Sequence, residues 1–268
     1  MATAMPSPFG QLLREWRSIR RRSQLELAVD AEVSPRHVSF LETGRSRPSR
    51  EMVLLLASAL ELPLRERNAM LASAGFAPAY SIGDLDAERM RPVRRALEWT
   101  LRQAEPFPAV VLDRHWNVRS TNRAAERLFA LLLDAPPSSD PPNVIRLMLD
   151  PAGLRPRVTN WESAIAMLAD RVRREALERV MDAPTASLLD ALREACGAAR
   201  GQVTERVPCI PIHFAVGDLA LRFFSTVTVL GTAADVTAQE LRIECFFPED
   251  DETEAECRRR FTDSGPAL

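Results

Sequence analysis

Lysine is missing from this chain of 268 residues: all 35 basic residues are arginine. The bias runs through the whole sequence and therefore says nothing about partners. Also missing is any apolar run approaching the ~20 residues that cross a bilayer, and the N-terminus lacks the apolar core of a signal peptide. These absences predict a cytoplasmic protein without a membrane partner. Cysteine is scarce. Cys196, Cys209, Cys245 and Cys257 form no CxxC pair, and there are only 3 histidines. No metal site is expected, and the thiols are expected to be reduced. The phosphate-loop, zinc-protease and nucleophile-elbow signatures are absent, and paired carboxylates occur only near the C-terminus, where a solvated run is the simpler reading. The chain is read as a non-enzyme that needs no cofactor.

What remains is an ordinary globular composition, 46% hydrophobic and 27% charged, long enough for two domains. The net charge of −2 hides an asymmetry. Through Gly75 there are 11 Arg against 8 acids, a net +3, and the remainder carries 24 against 29, a net −5. A basic head on an acidic body suits a nucleic-acid-binding head.

That head centres on Ser23 to Pro48, SQLELAVDAEVSPRHVSFLETGRSRP. Ser23 followed by Glu26 is a capping box that starts a helix with Leu27, Ala28 and Ala31 inward. Ser34 caps a second helix with Pro35 at its first position, where the missing N–H costs nothing. Val38 and Leu41 turn inward, leaving Arg36, His37, Ser39 and Phe40 outward or sideways. Gly44 breaks the helix, and Arg45 and Arg47 follow where a phosphate backbone would pass. Upstream, Phe9, Leu12, Leu13, Trp16 and Ile19 make an amphipathic helix. Downstream, a helix capped by Ser49 and another from Leu64 to Ala74 complete five helices.

These residues resemble the helix-turn-helix regulators related to the lambdoid repressors, the XRE family, from about Phe9 to Phe76. The most specific matches are Gln24 and the run Leu41-Glu42-Thr43-Gly44-Arg45. Glu32 departs from the pattern. It stands where the turn usually has glycine in a left-handed conformation, at a cost of roughly 1 kcal/mol. The resemblance implies double-stranded DNA as partner and homodimers that read two half-sites. Gln24 then sits at a helix N-terminus facing a phosphate, and Ser34, the cap of the second helix, belongs to the DNA-binding set. Arg36 meets a guanine, His37 and Ser39 support it, and Arg45 and Arg47 bind phosphates.

Residues 77–89 read as a linker and 90–248 as a second domain, with an acidic, disordered tail over 249–268. The second domain opens on a helix spaced by Val93, Leu97 and Leu101. Ala109 to Leu112 is a strand, Asp113-Arg114-His115 a turn, and Trp116 to Ser120 a returning strand. Helices follow from Asn122, from Trp161 with Asn160 as cap, and from Pro184 to Cys196. Strands then cover 212–216, 219–230 and 241–247, with Leu219, Leu221, Phe223, Val227 and Val229 on one face. Two strands, then helices, then three antiparallel strands is the order of an α+β, PAS-like domain. The run Val111 to Val118, together with Asn122, Phe129, Asn160-Trp161 and Phe223 to Thr226, resembles the MmyB-type ligand-binding domain. That resemblance implies a small apolar effector, a fatty acid or derivative. Its pocket would be lined by Trp116, Phe129, Trp161, Ile165, Leu168, Phe214 and Phe223. The alternative stays open: these side chains simply fill a core, and the domain serves dimerisation only.

Overall fold

The computed structural model describes residues 7–137, 139–177, 182–198, 209–231 and 233–262. It divides into two compact units whose main boundary falls between Gly83 and Asp84.

The first unit holds α1 (Pro8–Ile19), α2 (Gln24–Asp30), α3 (Pro35–Glu42), α4 (Arg50–Ala59) and α5 (Leu64–Ser73). Serine starts four of the five. Ser7, Ser23, Ser34 and Ser49 accept from the backbone N–H of Gly10, Glu26, His37 and Met52, satisfying donors that a helix start leaves unpaired. Ser23 N–H in turn donates to Glu26 Oε2 at 2.6 Å, completing the capping box. The core is Phe9, Leu13, Trp16, Leu27, Val38, Leu41, Val53, Leu56 and Leu71. Gly10 sits at its tightest point. A Cβ there would lie 2.5 Å from the Leu41 carbonyl oxygen and 2.7 Å from that of Glu42, so α1 reaches the end of α3 only without a side chain.

The stretch after α5 is better fixed than a linker from 77 onward would be. Asn68 Oδ1 accepts from Ala79 N and Tyr80 N, and its Nδ2 donates to the Tyr80 carbonyl at 2.7 Å. A single buried amide thereby holds three backbone groups that would otherwise face solvent.

The second unit has α6 (Arg91–Ala104), β1 (Ala109–Leu112), β2 (Val118–Thr121), α7 (Arg123–Leu132), α8 (Val144–Leu149), α9 (Trp161–Leu177) and α10 (Ala183–Ala198). These are followed by β3 (Ile210–Val216), β4 (Leu219–Val229), α11 (Val236–Glu240), β5 (Arg242–Pro248) and α12 (Asp251–Phe261). The strands form one antiparallel sheet in the order β2-β1-β5-β4-β3, so the last strand of the chain lies at its centre. The α+β class and the order of two strands, helices and three antiparallel strands are as expected. On one face, Ala109, Val111, Ile243 and Cys245 pack against Leu97, Leu101 and Ala104 of α6. By strand alternation the other face carries Val110, Leu112, Phe214, Leu221, Phe223, Arg242 and Glu244.

Several expectations need correction. Residues 251–261 are not a disordered tail but α12, with Thr253, Cys257 and Phe261 buried at i, i+4, i+8 spacing. Asp250 caps its start and acids fill its first turn. Arg127 Nη1 donates to the Phe261 carbonyl at 2.7 Å at its end, and arginines fill the last turn, so each charge matches the helix dipole. Asn160 does not cap α9 with its side chain. Its Oδ1 accepts from His213 N and its Nδ2 donates to the Pro211 carbonyl, tying the helix start to β3. Trp116 lies in the turn before β2, at φ +68°, and not on the strand. The five β4 residues Leu219, Leu221, Phe223, Val227 and Val229 do share one face, as expected, but along it only Leu221 and Phe223 are buried, and Val227 and Val229 are exposed.

Candidate functional site

The candidate nucleic-acid interface is built on α2 and α3. Between them, Glu32 adopts φ +52°, the left-handed turn its position demands, and Val33 N–H closes the turn on the Ala28 carbonyl at 2.8 Å. Val38 and Leu41 are fully buried, which fixes the roll of α3 about its axis. Ser34, Arg36, Arg45 and Arg47 are consequently exposed, and His37 and Ser39 half-exposed.

Phe40 organises the outward face, a role the sequence did not disclose. The Arg36 guanidinium lies 5.1 Å from its ring centroid and that of Arg45 lies 5.8 Å away. Two cations on one ring lose side-chain freedom before any ligand arrives, and each contact is worth about 0.5–1 kcal/mol at an exposed site. Gly44, at φ +75°, turns the chain so that Arg45 N–H and Ser46 N–H both donate to the Phe40 carbonyl. The basic loop is thus folded back onto the end of the helix.

Beneath this surface lies a charged hub. The Glu42 side chain is fully buried. Its Oε1 accepts from Arg17 Nε at 2.6 Å; its Oε2 accepts from Arg17 Nη2 at 3.1 Å, from Gln24 Nε2 at 2.7 Å and from Arg14 Nε at 3.5 Å. Burial alone would raise the Glu42 pKa, but the hydrogen bonds from Arg17 and Gln24 and the Arg17 charge outweigh it and hold the carboxyl below its usual range. One carboxylate therefore joins α1, α2 and α3. It also revises Gln24, which commits an amide N–H to Glu42 instead of offering the whole group to a phosphate. The signal was faint: a Glu at an inward position one residue after Leu41.

In the second unit the seven proposed pocket residues are placed as follows. Trp116, Ile165, Leu168, Phe214 and Phe223 are buried; Phe129 and Trp161 are half-buried. Phe214 and Phe223 meet edge to face at 6.3 Å, and Trp161 Nε1 donates to the Met148 carbonyl at 2.8 Å. The Trp116 ring has the Arg242 guanidinium 3.9 Å from its centroid and that of Arg171 at 4.6 Å, and Arg171 Nη1 is 3.1 Å from Glu244 Oε1. Arg242 and Glu244 were missed because charges alternating along a strand read as a solvated face, whereas both are buried. Nearby, Arg114 reaches Asp182 at 2.6 Å and Glu240 at 3.2 Å, and His115 reaches Asp182 at 2.9 Å. Burial raises the Asp182 pKa, but hydrogen bonds from Thr185 and His115 and the Arg114 charge prevail and hold it far below the usual carboxylate range.

A cleft of about 670 Å³ lies elsewhere, between α6, the start of α7 and the end of α12, and its lining includes none of the seven. Among the described residues no group of three or more His, Cys, Asp or Glu could hold a metal ion, and no helix is long and apolar enough to cross a membrane.

Comparison with known proteins places both units. A helix-turn-helix domain profile matches residues 8–70. An "Uncharacterized HTH-type transcriptional regulator RghRB" of Bacillus subtilis (strain 168) is 36% identical over 75 residues, 28% of this chain and 52% of that protein. The match thus spans about half the length of that relative. A solved "RNA-binding Light-Oxygen-Voltage Receptor" aligns over 92% of this chain and 62% of its own, at 16% identity and a TM-score of 0.26, too low to carry any argument. The MmyB-like transcription regulator ligand binding domain matches residues 93–259, more than half of the chain, and the chain belongs to that family of transcription regulators.

Proposed function

We propose that this protein is a sequence-specific regulator that binds double-stranded DNA as a homodimer in the cytoplasm and responds to a small apolar effector, a fatty acid or derivative, held in a PAS-like second domain. The DNA-binding part rests on one observation: the outward face of α3, where Arg36 and Arg45 share the Phe40 ring while Val38 and Leu41 are anchored inward. A helix presented in this way fits the major groove. There a forked guanidinium meets guanine O6 and N7, with about 1–3 kcal/mol of discrimination. Arg45 and Arg47 then hold phosphates, and Gln24 serves mainly to seat α2 on α3 through Glu42. The test is binding to a selected operator and to its single-base variants. Arg36→Ala is expected to lose discrimination at one base pair, whereas equal weakening on all sequences would reassign Arg36 to the backbone.

For the effector, Arg171 and Arg242, both close to the Trp116 ring, are the cations best placed to meet a carboxylate. Operator affinity titrated with fatty acids of graded chain length tests this reading; constant affinity throughout would remove the effector. A second reading has a specific observation in its favour. Five of the seven pocket candidates are already buried, as they would be in a domain that only dimerises. Native mass spectrometry of the purified chain separates the two, because a bound small molecule supports the first and its consistent absence the second.

A further inference from the structure

Buried polar groups nearly always find a hydrogen-bond partner, so an exception points to what a site is built to hold. Among the described residues four buried side-chain nitrogens have none. Three of them belong to two arginines of the second unit: Nε of Arg114, and Nε and Nη2 of Arg242.

Arg242 is 6% exposed and sits on β5, the central strand of the sheet. It has other partners, the Trp116 ring at 3.9 Å among them. Its Nε and Nη2, however, form one edge of the guanidinium, and that edge matches the two oxygens of a carboxylate. The head shows the match made: Arg17 puts Nε and Nη2 on Glu42 Oε1 and Oε2, at 2.6 and 3.1 Å. On Arg242 the same edge hydrogen-bonds no carboxylate. The acids nearby serve the other two arginines. Glu244 accepts from Arg171 at 3.1 Å, and Asp182 and Glu240 accept from Arg114 at 2.6 and 3.2 Å. The sheet face around Arg242 is otherwise apolar, with Leu112 as its direct cross-strand neighbour and Phe214 and Phe223 further along. A ligand with one carboxylate and an apolar body suits such a face.

As the side chains stand, the edge is shut off from solvent. Trp116 is itself buried, and its ring lies against the guanidinium. Its backbone is pinned on both sides. The N–H donates to the Asp113 carbonyl at 3.1 Å, and the carbonyl accepts from Val144 N–H at 3.0 Å, so side-chain torsions alone can move the ring. That backbone holds φ +68°, a left-handed conformation rare for a bulky residue and concentrated at functional sites.

We propose that the Nε–Nη2 edge of Arg242 is the seat of the effector's carboxylate and that Trp116 is the cover that turns aside to admit it. This deepens the effector reading above and rests on it. Arg171, committed to Glu244, then flanks the seat without forming it.

The test measures binding of decanoate and of decanol to the full chain by titration calorimetry. The parent is expected to prefer decanoate by about tenfold or more, the worth of two hydrogen bonds between charged groups. Arg242→Met is expected to lose that preference while binding decanol as the parent does. Should Arg242→Met not fold, Arg242→Lys replaces it; it keeps the charge without the fork and is expected to weaken decanoate alone. For the cover, chains labelled with fluorotryptophan are followed by fluorine NMR. The Trp116 line, assigned by its loss in Trp116→Phe, is expected to shift on adding decanoate. Equal binding of acid and alcohol, an Arg242 variant that keeps the preference, or a Trp116 line that stays in place would each overturn the proposal. Operator affinity measured alongside keeps the two readings apart. Decanoate that binds through Arg242 yet leaves operator affinity constant removes the effector role alone, and an operator response that Arg242→Met retains removes the seat alone.

Discussion

Removing the charge of Glu42 tests the physical account of the head most directly. In Glu42→Gln the volume and one acceptor remain, but the anion that faces Arg17, Gln24 and Arg14 is gone. Arg17 loses most. Its Nε and Nη2 bonds to the carboxylate are 2.6 and 3.1 Å long, and its side chain is only 16% exposed, so water cannot fully replace the lost partner. Hydrogen bonds to charged groups contribute about 1.5–3 kcal/mol each, and breaking a buried pair by removing one partner costs about 3–5 kcal/mol. The Arg17 guanidinium keeps its bond to the Arg22 carbonyl at 2.8 Å, and Arg14 is largely exposed, which places Glu42→Gln near the lower end, about 2–3 kcal/mol. Because two units need not unfold together, hydrogen–deuterium exchange of peptides from α1, α2 and α3 in the full chain is the right assay.

The pH dependence has a definite sign. Glu42 has a lowered pKa in the folded head, so its stabilisation is fully present above the unfolded value of about 4.3 and is lost as pH falls through the folded value. The gap between parent and Glu42→Gln should therefore be constant near neutrality and close as the solution is acidified below about pH 4. A Glu42→Gln head within about 0.5 kcal/mol of the parent at pH 7, or a gap that does not close in acid, would refute the reasoning.

Three further outcomes follow from other parts of the molecule. Gly10→Ala should destabilise the head by about 1–3 kcal/mol in the same exchange assay despite the roughly 1 kcal/mol gain in helix propensity, because the new Cβ meets backbone oxygens of α3 that cannot rotate away; a more stable variant would show that α1 and α3 are less closely apposed. Arg45→Ala and Arg47→Ala should each weaken operator binding alike on all sequences and lower the salt slope by about 1, as measured by fluorescence anisotropy over a salt series; a sequence-selective loss would move either residue to the base edges. Phe261→Ala should cost about 3–5 kcal/mol and raise amide exchange in α7 and β4, whereas no change would return residues 251–261 to the status of a solvated tail.

Much of the head was legible before any coordinates, for reasons that are local. Ser23 with Glu26, Ser34 with Pro35, and Gly44 each specify a helix end by what a few neighbouring backbone groups need. The pairs Leu27 with Ala28 and Val38 with Leu41 specify the buried sides. The strands 109–112, 212–216 and 241–247 were legible for a similar reason, since apolar residues in short runs between turn residues have few other uses. α12 was missed because its acids and arginines dominate the composition. Its sparse i, i+4, i+8 stripe of Thr253, Cys257 and Phe261 becomes an inner face only when a surface exists to receive it. Once received, burial with the nearby Glu256 and Glu254 carboxylates pushes the Cys257 thiol pKa up to about 12, which marks it as a packing residue.

By itself, then, the sequence determined where the helices of the head begin and end and which side of each turns inward, because capping, turn geometry and periodicity act over a handful of consecutive residues. Only the tertiary structure decided that Glu42 gathers Arg14, Arg17 and Gln24, that Phe40 carries two arginines, that Arg171 and Arg242 meet the Trp116 ring, and that a cleft opens beside Trp99. A charge or ring acquires its role from partners far along the chain, and the distances to those partners are set by packing.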